Sequence, residues 1–372
     1  MRATFGKIGF HRALKPIKIG QVTVPNRIVL LPINTSFGDK EGNVTDRLIR
    51  FHQKIAKGRV GLSIVGSTSV SLNGKPNYFG LSLESDQKID GFQKLFHAIS
   101  DEGSIPAVQL MHAGRQTLPS VTGGSIVAPS SIPSPYFGMV PHELEENEIR
   151  AIIREFTAAG LRAKEAGAQI VELHGAHGYL IGQFLSPLSN KRSDEYGGNF
   201  DNRARFFCEI VRETKRLLGS SFPIVCRISI SEYSHGGITC KDALRIAELL
   251  IQSGADCISV SEGIAGMTEK IYPTKKIQKK TRFRTGGEMR KRLGIPVICG
   301  GRIANLREAD GVLEAGYADL VGMARALIAD PHLILKSIHD DFGSIVSCTW
   351  CNKCVYDFTK FERMCCAVNP SL

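Results

Sequence analysis

Eight short runs rich in apolar and β-branched residues recur along the chain, at 28–33, 62–70, 106–111, 169–175, 223–229, 257–263, 296–301 and 319–325. Several are continuously apolar, the pattern of strands buried on both faces. Apolar residues at helical spacing separate most of them, most clearly over 148–166, 202–218, 241–253 and 305–315. Asp46 and Asp201 stand where N-caps are expected, and Gly103, Gly219 and Gly254 where helices should stop. Eight βα units predict a (β/α)8 TIM barrel. An open doubly wound sheet is the rival, but no G-x-G-x-x-G follows the first strand. The opening LKPIKIGQVTVPNR reads as a short hairpin, and 115–144 as a Ser-, Pro- and Gly-rich loop long enough to form a lid. The barrel is expected over 1–345, with a cysteine-rich tail over 346–372.

Composition adds constraints. The 372 residues are 42% hydrophobic and 22% charged, which is ordinary globular composition. No apolar run is long enough to span a membrane, and the N-terminus lacks a secretory core, so a cytoplasmic protein is expected. The net charge is +11, yet ten Lys and Arg against two Glu between Glu269 and Arg292 supply +8 of it. A local excess on a near-neutral body points to an anion site or a solvated loop, not a nucleic-acid surface. Of ten cysteines, Cys208, Cys226, Cys240, Cys257 and Cys299 are scattered in apolar surroundings, whereas Cys348, Cys351, Cys354, Cys365 and Cys366 crowd the end. In a cytosolic chain such crowding suggests metal ligation.

Functional groups of a barrel project from the C-terminal ends of its strands. Those ends carry Pro32, Ile33 and Asn34 after strand 1, Ser67 in strand 2, Gln109 in strand 3, and His174, His177 and Tyr179 at strand 4. Arg227 ends strand 5, Gly300 and Gly301 end strand 7, and Ala324 and Arg325 follow strand 8. Loops after strands 7 and 8 commonly build a phosphate site, so the Gly pair with Arg325 predicts an anion cradle. His174-x-x-His177 invites a metal, but no acidic residue nearby completes a ligand set. Two imidazole donors holding a substrate oxygen beside a phenol that donates a proton is the alternative.

Here the residues meet a family. HGAHGYLIGQFLSPLSNKRSDEYGG, with PIKIGQVTVPNRIVLLP, VQLMHAGRQ and ADLVGMARALIADP, closely resembles the old yellow enzyme family of FMN-dependent ene reductases. The Met-Ala-Arg and terminal cysteines are similar to the branch of 2,4-dienoyl-CoA reductase, enoate reductases and trimethylamine dehydrogenase. The resemblance implies FMN, with Gln109 and Arg227 at the pyrimidine edge of the flavin and Pro32, Ile33 and Ser67 lining the ring. Gly301, Ala324 and Arg325 would hold the phosphate. His174 and His177 would bind the carbonyl oxygen of an α,β-unsaturated substrate, and Tyr179 would protonate the α-carbon. NAD(P)H is the implied reductant. Asn34 replaces the Cys or Thr frequent in relatives, so the family's flavin potential does not carry over.

Larger relatives hold a 4Fe-4S cluster on C-x2-C-x3-C-x11-C. Here Cys348, Cys351, Cys354 and Cys366 follow C-x2-C-x2-C-x11-C, one residue shorter. That leaves an iron–sulfur cluster, a structural zinc and an unligated tail open. In those relatives the cluster passes electrons to a second flavin in a C-terminal nucleotide-binding domain. Leu372 stands where that domain would begin, so a cluster here would need a separate electron-donor protein or a solvent-side donor. Otherwise NAD(P)H and substrate would share one FMN face in ping-pong turnover, with the basic 269–292 stretch attracting phosphates. Three expectations follow: an ene reductase acting on an enone, enal or enoyl thioester, an amine dehydrogenase-like demethylase, or a flavin/iron–sulfur electron-transfer subunit, any of them as a single chain or an oligomer.

Overall fold

Each of the eight apolar runs forms a strand in the computed structural model, which describes residues 10–264, 266–274, 280–355 and 362–372. The strands are β1 (Ile28–Leu30), β2 (Leu62–Ser69), β3 (Ile105–Met111), β4 (Ile170–Gly175), β5 (Ile224–Ser229), β6 (Cys257–Ser261), β7 (Val297–Gly300) and β8 (Leu320–Met323). All pair in parallel with their neighbours, and β1 pairs with both β8 and β2. That double pairing closes the ring and removes the open-sheet alternative. A short strand, Leu81–Ser82, extends the far end of β2.

Helices fill the crossovers: α1 (Asp46–Lys57), α2 (Ile89–Ser100), α3 (Glu146–Glu165), α4 (Phe200–Leu218), α5 (Cys240–Gln252), α6 (Lys280–Leu293) and α7 (Leu306–Glu314). The caps differ from the sequence reading by one or two residues. Thr45 accepts from the backbone of Leu48 and Asn199 from that of Asn202, so Asp46 and Asp201 sit inside the first turns. There their charge still favours the positive helix end. Gly219 does cap α4, at φ +94°.

The side-chain period of two sorts residues between two cores. Outward residues pack under the helices in the larger cluster. Inward, Val29, Leu62, Ile64, Ala107, Ile170, Val225, Cys257, Ile298 and Leu320 form a separate apolar plug. The expected hairpin, Ile17–Ile19 against Val22–Val24, seals its floor with Ile19 and Val24. Two residues further along β3, β4, β5 and β6 the inward set turns polar, with Gln109, Glu172, Arg227 and Ser259 all buried. Two more bring His174, Ser229 and Ser261 to the upper rim. The barrel is therefore greasy below and polar above, and any site must lie at the C-terminal mouth.

The 115–144 stretch leaves that mouth and returns over it. It contains a helical turn, Pro119–Thr122, and a two-residue ladder between Val127–Ala128 and His142–Glu143. Arg115 Nη1 donates to the Ile132 carbonyl at 2.8 Å, which pins the loop to the rim. The last described residues return to the barrel. Met364 N–H donates to Thr35 O at 2.9 Å and Asn369 Nδ2 to Ile328 O at 2.8 Å. Among the described residues no helix is long and apolar enough to cross a membrane.

Two histidines in this framework are fully shielded: His52 in α1, 3.0 Å from Ser63 Oγ, and His112 above β3. Burial pushes each imidazole down to about 3. The unfolded chain then binds more protons below its ordinary histidine pKa, about 6.5. Stability is expected to be flat at neutral pH and to fall below about 6.5, by about 1.4 kcal/mol per pH unit for each of the two. Urea titrations between pH 7 and 5, compared with the His52→Asn variant, check this.

Candidate active site

A cavity of about 1680 Å³, counting its open side, occupies the C-terminal mouth. Of the residues singled out from the sequence, Pro32, Ile33, Asn34, Ser67, Gln109, His174, His177, Tyr179, Arg227, Gly301, Ala324 and Arg325 line it. Gly300 does not. A Cβ there would stand 2.5 Å from Gly322 O and 2.9 Å from Leu31 Cδ1, so strand packing alone requires the glycine. From the lid loop, Tyr136 and Phe137 complete the wall.

His174 and His177 meet edge to face, with ring centres 5.0 Å apart. His177 Nδ1 lies 3.3 Å from His174 Nε2, and His177 Nε2 lies 2.6 Å from Ser261 Oγ. His177 has φ +61° and donates its backbone N–H to Ser229 Oγ, which fixes the turn that presents it. Burial, reinforced by the Arg227 cation, holds both imidazoles well below the usual histidine range, so they act as neutral dipoles at pH 7. His174 Nδ1 is buried with no hydrogen-bond partner. Tyr179 packs 5.2 Å from the His174 ring, and burial raises its phenol, which keeps the proton on.

Arg227 is 7% exposed, and its Nε and Nη1 have no hydrogen-bond partner. Its Nη2 reaches only Ser261 Oγ, at 3.5 Å. Unsatisfied N–H groups on a buried cation are costly, so these donors call for an acceptor in the cavity. Asn34 Nδ2 and Ser67 Oγ are likewise buried without partners.

Three further guanidiniums line the cavity, from Arg282, Arg302 and Arg325, and Arg282 lies beside Gly301. Arg282 is held by Glu262 at 2.9 Å and by the Gly300 carbonyl at 3.1 Å. Arg302 donates to Thr274 O at 2.6 Å. Arg325 donates to Pro273 O at 3.0 Å and to Asn352 Oδ1 at 2.6 Å, and its guanidinium lies 4.9 Å from the centre of the Trp350 ring. Asn352, 2% exposed and at φ +60°, uses its other amide atom to bind Tyr272 O at 2.9 Å. The cysteine segment thus steers the arginine of the predicted anion cradle.

The basic stretch proves composite. Lys275, Lys276 and Lys279 lie outside the described residues, and 280–293 is helix α6, not loop. Arg282 faces the cavity, whereas Arg290 and Arg292 pair outward with Asp319 and Glu248. Among the tail cysteines Cys354 reaches the cavity wall. Cys348 and Cys354 each lie within electrostatic reach of the other and of Cys351 and Cys366, and burial pushes the Cys354 thiol up to about 12. Among the described residues, no three His, Cys, Asp or Glu side chains stand as a ready metal site.

Sequence reasoning gave no role to Glu172, Arg302, Tyr272 or Asn352. Glu172 was signalled by alternation with Ile170 and His174, and Arg302 by its place at the strand-7 end. Nothing in the sequence shows which partners Tyr272 and Asn352 meet.

The NADH:flavin oxidoreductase / NADH oxidase family model matches residues 13–340. The NADH oxidase of Thermoanaerobacter brockii is 38% identical over 357 residues, which are 95% of this chain and 55% of that protein. The chain thus spans about half the length of the first curated relatives it matches. Among solved structures, a 2-naphthoyl-CoA reductase complexed with 2-naphthoyl-CoA superposes with a TM-score of 0.93 at 30% identity, over 97% of this chain and 57% of that one. Morphinone reductase with tetrahydroNAD gives 0.74 at 25% identity, over 88% and 90%.

The Arg325–Asn352 contact yields a measurable expectation. Asn352→Ala removes a charge-assisted hydrogen bond worth about 1.5 kcal/mol, so the affinity of the cavity for a phosphomonoester should fall about tenfold. Fluorescence titration with FMN reads it.

Proposed function

The chain belongs to the NADH:flavin oxidoreductase / NADH oxidase family, and from that premise we propose that it uses FMN and NAD(P)H to reduce the C=C bond of α,β-unsaturated carbonyl compounds. The observation that carries this reading is the single cavity wall shared by a buried, under-bonded Arg227, a neutral His174–His177 pair and the protonated Tyr179. The bound 2-naphthoyl-CoA and tetrahydroNAD in the two neighbours support an unsaturated acyl or carbonyl substrate and a nicotinamide reductant.

The residues present fit FMN. Arg227 offers free N–H groups to an electron-rich ring edge, and Gln109 stands beside it on the same wall. Gly301, Arg302 and Arg325 supply donors for a phosphate. Bound FMN would carry the reducing equivalents from nicotinamide to substrate.

The chain's own contribution is polarisation and proton delivery. A neutral imidazole N–H donates to the substrate carbonyl oxygen and draws electron density from the β-carbon. The His177–Ser261 contact holds that ring while His174 faces the ligand. Tyr179 retains its proton at neutral pH and would deliver it to the α-carbon.

A second reading, an electron-transfer role, draws on Cys354. Its side chain lines the same cavity, and Cys348, Cys351 and Cys366 lie within electrostatic reach of it, although they do not stand as a ready metal site among the described residues. We propose that these cysteines hold a 4Fe-4S cluster fed by a donor protein. Protein purified without oxygen should then contain about four iron atoms per chain and absorb broadly near 400 nm, roughly where such clusters do. One zinc, or no metal, would reject it.

Replacing both His174 and His177 by Ala is expected to lower NAD(P)H-driven reduction of 2-cyclohexenone by at least about 10³-fold, with FMN still bound. Turnover within about tenfold of wild type removes the pair from the mechanism.

A further inference from the structure

One layer beneath the cavity lies a carboxylate that the reaction described so far does not use. Glu172 is fully buried on β4, between Ile170 in the apolar plug and His174 at the rim. Its ladder partner on β3 is Gln109. Gln109 Nε2 donates to Glu172 Oε2 at 2.6 Å, a short contact of the charge-assisted kind. On the other side stands Arg227 of β5, on whose guanidinium Glu172 exerts the strongest charge effect. Burial raises the Glu172 carboxyl above its usual range, and its Oε1 has no hydrogen-bond partner, so the Gln109 amide at Oε2 is its direct contact and the Arg227 charge the main opposing field.

We propose that Glu172 is a positioning residue for the flavin site, fixing which way the Gln109 amide faces and offsetting part of the Arg227 charge. The inference rests on the FMN reading and deepens it. Gln109 turns its NH2 down to Glu172 Oε2, which leaves its Oε1 for the cavity. In the lining of the same cavity, Arg227 Nε and Nη1 present donors with no partner. The wall thus offers both an acceptor and donors, the complement of a ring edge carrying N–H beside C=O. A pyrimidine-type ring has that edge. The same carboxylate moderates the field that Arg227 exerts on the negative charge added when the bound flavin is reduced. Without it, Arg227 would act unopposed.

The test compares FMN-loaded wild type with E172Q, E172D and Q109M, reading FMN dissociation constant and midpoint potential. E172Q keeps the shape and removes the charge. Its potential should shift positive, and its Kd should rise about tenfold because Gln109 can then reverse. E172D keeps the charge and shortens the reach, so its potential should stay near wild type while Kd rises. Q109M removes the amide and spares the carboxylate, so it should weaken binding and leave the potential in place; it also keeps the test alive if E172Q does not fold. An unmoved potential in E172Q, or equal shifts in E172Q and E172D, overturns the proposal. Failure of the wild-type protein to bind FMN would instead overturn the flavin reading itself.

Discussion

The alternation of side chains along a closed ring of eight strands is the constraint from which the rest follows. Once β1 bonds to both β8 and β2, every second residue must point into an interior of fixed radius. The lower interior is filled by one or two apolar residues from each strand and by the hairpin, and it has no room for water or ligand. Polar side chains are tolerated only above that plug, where they can bond to one another or to something entering the mouth. Gln109, Glu172, Arg227, His174 and Ser261 are therefore neighbours because they occupy successive inward steps, although they are scattered over more than 150 positions of sequence.

Most of this was legible from residue pattern. The eight strands fall where the apolar runs predict, since a strand buried on both faces leaves few other readings. Caps were less readable. Thr45 precedes Asp46, and Asn199 precedes Asp201 by two, so two competent capping side chains stood side by side at each start, and only geometry chooses. The site divides in the same way. His174, Tyr179 and Arg227 announce themselves as polar residues at the ends of apolar strands. Asn352 looks like any loop asparagine between cysteines, and its role comes from reaching across to Arg325 and Tyr272. Arg282 was lost in a run of like charges, because composition cannot say which member of a basic stretch turns inward.

Electrostatics at the mouth is organised by burial more than by pairing. Arg227 and the two imidazoles share a desolvated layer, and the same loss of water that keeps the histidines neutral strengthens the pull of every remaining charge. Glu262 answers Arg282 and Glu172 answers Arg227, which leaves the cavity positive without making it unstable. A pocket so arranged welcomes anions and electron-rich edges.

Ring closure also bears on how such a chain is made. Arg27 and Asp319, joined where β1 meets β8, are 292 residues apart in sequence. During synthesis the first strand therefore has one edge without its neighbour until nearly the whole barrel has left the ribosome. Unpaired parallel edges are slow to satisfy and prone to associate with one another. Nascent chains of this protein should depend on chaperones that shield exposed strand edges for as long as translation takes to reach Leu320.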